Sequence, residues 1–138
     1  MKVRINTHGT PLPVAHGDWI DLYTAEDVEM KSGEYAEISL GISMELPKGY
    51  YAHILPRSST FKNFGIQMAN SMAVMDRDYC GDDDIWHFLA YATRDTKIPK
   101  GSRICQFCVV KKGRAVKFKP VFSLGNKNRG GIGSTGVK

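Results

Sequence analysis

Short apolar runs broken by turn residues recur along the whole chain, and no segment holds a helical period for more than about two turns. Helix-built folds are thereby excluded, and the pattern predicts an all-β domain. Strands are expected over residues 1–7, 35–39, 42–46, 50–55, 65–69, 73–75, 85–93, 103–111 and 117–120. Pro47-Lys48-Gly49, Cys80-Gly81-Asp82, Pro99-Lys100-Gly101 and Lys111-Lys112-Gly113 supply the turns. Many short strands at this spacing suit a jelly-roll or another closed β-sandwich. Residues 58–64, ahead of Gly65, can hold one short helix. At 138 residues the chain can bury a core without disulfides or metals. No repeat or linker divides it, so we expect one β domain over residues 1–125 and a C-terminal arm over 126–138.

Charge and cysteine content narrow the function classes. A net charge of +5 favours anionic partners, but the cations are scattered singly or in pairs and are not interleaved with aromatics. Discrete phosphates fit this better than a nucleic-acid polymer. No run approaches the eighteen or so apolar residues that cross a bilayer, and the start lacks a signal-peptide core, so no membrane partner and a cytoplasmic location are expected. Cys80, Cys105 and Cys108 are an odd number in a chain with no export signal, so no disulfide framework is expected. Cys105 and Cys108 have C-x-x-C spacing, but on a strand that offset sends the thiols to opposite faces, and no second Cys/His pair completes a zinc site.

Four stretches carry candidate chemistry. The tail from Asn128 to Lys138 is glycine-rich and holds Arg129, Ser134 and Thr135, a composition able to wrap an anion or to remain a disordered end. Val137 and Lys138 stand where a P-loop needs Lys and Ser/Thr, so it would act as a flap over a site built elsewhere and would order only with ligand. Residues 76–84 concentrate five of the fourteen acidic side chains. An EF-hand is excluded by Cys80 and His87 at ligand positions, and Asp82 to Asp84 can equally be a solvated hairpin. Asp76 follows Ala73-Val74-Met75 and is expected at a strand end against the core, where desolvation makes a carboxylate a better base. Pro56-Arg57-Ser58-Ser59 offers either an anion site or a plain N-cap. Gln106, inside an apolar strand, must either pair with backbone or face a polar ligand.

In order and spacing these stretches resemble the five motifs of the trimeric dUTPases. They are Trp19-Ile20-Asp21-Leu22-Tyr23-Thr24-Ala25, Pro56-Arg57-Ser58-Ser59, Asn70 through Asp76-Arg77-Asp78-Tyr79-Cys80-Gly81, Gly101-Ser102-Arg103-Ile104-Cys105-Gln106, and the tail. The resemblance implies a jelly-roll subunit of a homotrimer with shared sites, hydrolysing dUTP to dUMP and pyrophosphate with Mg²⁺. It implies that Asp76 activates the attacking water and that Tyr79 packs on the deoxyribose. The backbone from Asn70 to Met75 would read the uracil edge, and Arg57, Ser58, Ser59 and Gln106 would hold phosphates. Asp21 would reach the Mg²⁺ through water, and Arg129, Ile132, Ser134 and Thr135 would close the lid.

The chain departs from the family where a lid Phe is replaced by Ile132, so an aromatic from another strand, Phe88 or Trp86, is expected to cover the base. The lid cation is Arg129, with Lys127 the alternative. Trp19 stands where the family commonly has Gly. Two rival readings share the fold: a dCTP deaminase-branch enzyme, favoured by Arg57-Ser58-Ser59 but lacking its glutamate, and a non-catalytic nucleotide-sensing regulator. A regulatory protein partner is left open.

Overall fold

A computed structural model describes residues 1–133 and 136–138. Among them the chain is almost wholly β, with twelve strands and one helix. The strands are β1 (Arg4–Asn6), β2 (Val14–Ala15), β3 (Ile20–Tyr23), β4 (Val28–Met30), β5 (Tyr35–Ser39), β6 (Ser43–Glu45), β7 (Tyr50–Pro56), β8 (Ile66–Met68), β9 (Ala73–Met75), β10 (His87–Ala92), β11 (Thr96–Ile98) and β12 (Arg103–Lys111). Helix α1 (Thr60–Phe64) lies inside the expected segment. Gly65 ends it in the left-handed region at φ 63° and donates its N–H to Phe61 O at 2.7 Å.

A five-stranded sheet, β2-β3-β12-β7-β9, forms one face of the jelly-roll sandwich, and β5-β10-β8 forms a second, with β1-β6 and β11-β4 as short pairs. Every pairing is antiparallel. The core follows from alternation. On β10 Phe88, Ala90 and Ala92 are buried and His87, Leu89 and Tyr91 are not; on β7 Ala52 and Ile54 point inward. Trp86 packs edge-to-face on Phe107, ring centroids 5.4 Å apart, beside Leu22, Ile38, Ile54 and Ile104.

Four strands were not foreseen: β2, β3, β4 and β11. Each is short: β2, β4 and β11 have only two or three residues, too few to show a period, and in β3 the buried acid Asp21 hides the alternation. The strand expected over residues 117–120 is absent. Residues 111–133 are exposed throughout and make no sheet pairing beyond Lys111, so the side chains that suggested a strand, Val116 and Phe118 among them, have no partner strand among the described residues. Cys105 is fully buried and Cys108 only partly, on opposite faces of β12 as the offset requires. Burial pushes both thiols up, and for Cys105 the nearby Asp21 carboxylate adds to it. No helix among the described residues is long and apolar enough to cross a membrane.

Candidate functional site

Two groups of predicted site residues stand at two places on the five-stranded sheet. The first is built on β9 and the loop after it. The β8–β9 connection turns through Ser71 at φ 63°, with Ser71 N–H donating to Met68 O at 3.0 Å, and this puts Asn70 at the rim of a cavity of ≈ 690 Å³. Ala73, Val74, Met75, Asp76, Asp78 and Tyr79 form one wall, and Glu37, Ile85, His87 and Leu89 the other. Asp76 and Asp78 also border a second hollow of ≈ 940 Å³, edged by Lys48, Tyr51, His53, Arg77 and Lys112.

Asp76 follows β9 directly, as expected, but it is exposed rather than set against the core. β9 is an edge strand two residues from a surface turn, closed by Tyr79 N–H to Asp76 O at 3.2 Å, so nothing among the described residues covers its end. Tyr79 is fixed by its hydroxyl, which donates to Ile85 O at 3.1 Å. The same carbonyl accepts the Nδ1–H of His87 at 2.8 Å, so one backbone oxygen holds two ring side chains on the cavity wall. This leaves His87 Nε2 as its other polar atom. Asp82 and Asp84 brace an exposed turn: Asp84 Oδ2 accepts Gly81 N–H at 2.8 Å and Asp82 Oδ1 accepts Asn6 Nδ2–H at 2.9 Å.

The aromatics expected to cover a base are not available. Trp86 is 1% exposed and Phe88 is fully buried, because the even positions of this segment face the core. The odd face of the same strand lines the cavity, with His87 and Leu89. Alternation fixed the shared face correctly but did not say which side of the sheet it met.

The second group lies at the far end of β7. Arg57 N–H donates to Thr60 Oγ1 at 2.8 Å, and buried Thr60 donates onward to Ile104 O at 2.7 Å, which pins the Pro56 to Thr60 turn against β12. Ser59 sits at the N-cap of α1 but its side chain makes no cap hydrogen bond, and Ser58 is exposed, so neither hydroxyl serves the plain capping role. Gln106 takes the backbone alternative, donating Nε2–H to Pro56 O at 3.1 Å. Asp21, expected to reach a metal through water, is 2% exposed, and its Oδ2 pairs with Arg57 Nε and Arg103 Nη1, each at 3.2 Å. Arg103 and Glu37 escaped the sequence reading. Arg103 lay unassigned in the fourth motif, and Glu37 on an alternating strand reads simply as solvent-facing.

Arg129 and Ile132 lie on the exposed arm, and Ser134 and Thr135 fall outside the described residues. Among the described residues, no three His, Cys, Asp or Glu side chains converge to hold a metal ion.

The dUTPase family model matches residues 17–136. A prophage-derived deoxyuridine 5′-triphosphate nucleotidohydrolase of Bacillus subtilis is 60% identical over 122 residues, covering 88% of this chain and 86% of its own. A deoxyuridine 5′-triphosphate nucleotidohydrolase of Thermobifida fusca is 38% identical, over 91% of this chain and 73% of its own. Among solved structures, a mutant dUTPase of Staphylococcus bacteriophage 80alpha with dUpNHpp superposes with a TM-score of 0.80 at 17% identity, covering 99% of both chains. The dUTPase of phage phi11 of S. aureus, described with a structural Mg(II) ion, gives 0.77 at 14% identity, over 90% of this chain and 99% of its own.

Proposed function

The chain belongs to the dUTPase family, and from that premise we propose how it hydrolyses dUTP to dUMP and pyrophosphate. The observation that carries the mechanism is the separation of the two residue groups. In the β7–β9 register Met75 faces Ala52, so Asp76 stands beside Tyr51, whereas Arg57 follows Pro56 at the other end of β7. Six residues of strand put them roughly 20 Å apart. A general base must reach its water at hydrogen-bond distance of the phosphorus it serves, so one chain cannot use both on one α-phosphate. A complete site therefore takes Asp76 from one copy and Arg57 from another, in the homotrimer that the family resemblance implies.

In this arrangement the uracil and deoxyribose occupy the Asn70 to Tyr79 cavity of one subunit. The backbone from Asn70 to Met75 reads the base edge, Tyr79 packs on the sugar, and His87 covers the base in place of Trp86 or Phe88. Arg57, Ser58 and Ser59 of a neighbour hold the phosphates through charged and hydroxyl donors, and Gln106, with one Nε2–H spent on Pro56 O, turns its second N–H to them. The arm closes with Arg129 on phosphate and Ile132, Ser134 and Thr135 around the ligand. Asp76 takes a proton from water, whose oxygen attacks the α-phosphorus. The bond to the bridging oxygen breaks, pyrophosphate leaves, and the proton stays on the carboxyl group. Mg²⁺ bound to the triphosphate would supply charge neutralisation and alignment. The described residues hold no converging set of acids, and an ion held by phosphate oxygens and water needs none.

The deaminase branch is not favoured, since the relatives are nucleotidohydrolases. The test of the mechanism is pyrophosphate release from dUTP. Asp76→Asn is expected to lower kcat by about 10²–10⁴-fold while dUpNHpp still binds. An unchanged rate in the variant would remove the mechanism.

A further inference from the structure

Asp21 lies in the middle of β3, directly opposite Gln106 on β12. The pairing slips between Arg103 and Cys105, a bulge that shifts the alternation so that Arg103 reaches the face shared by Asp21 and Gln106. There the Asp21 carboxylate, 2% exposed, takes Arg57 Nε and Arg103 Nη1 on one oxygen, both at 3.2 Å. Arg57 is held a second time, its Nη1–H donating to Arg103 O at 3.0 Å. A guanidinium is planar, so contacts at Nε and Nη1 fix its plane and aim its remaining N–H groups. The two arginine side chains are 25% and 39% exposed, so they meet solvent while the acid beneath them does not. One buried negative charge against two positive ones leaves the rim cationic. Such an acid is stable only while paired, and it is poorly placed to exchange its partners for the water shell of a metal ion.

We propose that Asp21 is a positioning residue that acts through Arg57 and Arg103, presetting both guanidinium groups for the triphosphate, and not through Mg²⁺. Arg103 is thereby a second cation of the phosphate site. This rests on the dUTPase reading above and deepens it.

The two roles separate in metal-free binding. Equilibrium binding of dUpNHpp to the full-length protein is measured in excess EDTA and in saturating Mg²⁺. For Asp21→Asn we expect affinity about tenfold or more below wild type in EDTA, with the Mg²⁺-dependent gain kept at the wild-type factor. Asp21→Glu, which keeps the charge, should recover part of the loss. Wild-type affinity in EDTA with only the Mg²⁺-dependent gain lost would overturn the proposal. If Asp21→Asn fails to fold, Arg103→Lys decides: it should weaken metal-free binding several-fold and raise KM for dUTP more than it lowers kcat, and wild-type binding by this variant would equally overturn the proposal. Failure of the wild-type protein to hydrolyse dUTP would instead sink the dUTPase reading, whatever the variants do.

Discussion

Asp76 and Arg57 occupy opposite ends of the β7 ladder, Asp76 one residue past the Ala52–Met75 pair and Arg57 one residue past Pro56. Asp76 is exposed at its end of the ladder, and under the proposed division of the site the surface that covers it would belong to another copy.

His87 and Phe88 are neighbours with opposite duties. Phe88→Ala should destabilise the fold by about 3–5 kcal/mol, since it empties a fully buried site. His87→Ala should leave thermal unfolding nearly unchanged and raise KM for dUTP, by roughly tenfold if the ring covers the base. Melting curves and steady-state kinetics on the pair check this, and an unaltered KM in His87→Ala would remove the base-covering role.

Residues 111–133 are exposed and contribute nothing to the core. Removing residues 126–138 should therefore leave the unfolding transition in place and lower kcat/KM for dUTP, by about 10²-fold or more, as loss of a closing segment does. Between the two lid cations, Arg129→Met should raise KM more than Lys127→Met, because a guanidinium makes the forked phosphate contact. Equal, negligible effects would take both out of the site.

Gly41 has φ 69°, and a Cβ placed there would sit 2.9 Å from Ala25 Cβ and 3.1 Å from Thr10 Cγ2. The Ala25 methyl is attached directly to the backbone and cannot swing away. Gly41→Ala should cost about 2–4 kcal/mol from strain and overlap together, read as a shift of the denaturation midpoint.

Cys105 is fully buried, and its thiol is pushed up by burial and by Asp21. A thiol held protonated in the native state keeps its proton while the unfolded chain gives its own up above about pH 8.5. The unfolded state then binds fewer protons, so stability falls as pH rises through the unfolded-state value, and is unaffected below it. Cys105→Ala should lower stability overall yet flatten its decline between about pH 8.5 and 10. Exposed Cys80 should react with a thiol reagent in the native protein, and Cys105 only after unfolding.

Most of the fold was legible because its long strands show their alternation plainly: Tyr50 to Leu55, Ile85 to Thr93 and Arg103 to Lys111 each carry enough period-two signal to be seen. Val28–Met30 alternates but is too short at three residues to show a period, and at Ile20–Tyr23 one buried acid is enough to hide the strand. The false strand at 117–120 had the right residue types but no partner strand, and pairing is a tertiary fact. The site was legible as motifs but not as geometry. Alternation grouped Trp86 with Phe88, yet only the sheet's packing tells that this face is the core and that His87 meets the cavity. Asp21 was expected to reach Mg²⁺ through water, and the two arginines that take it emerged only when β3 met the bulge of β12.

The division of the site between copies is tested most directly by mixing two dead variants. Asp76→Asn and Arg57→Met chains, each expected to be nearly inactive alone, are co-refolded in equal amounts and assayed for pyrophosphate release from dUTP. If each site draws Asp76 and Arg57 from different copies, mixed oligomers should recover about a quarter of wild-type activity, since each of the two residues is intact in half of the sites. Activity no higher than that of either parent, in mixed oligomers shown to have formed, would contradict the account.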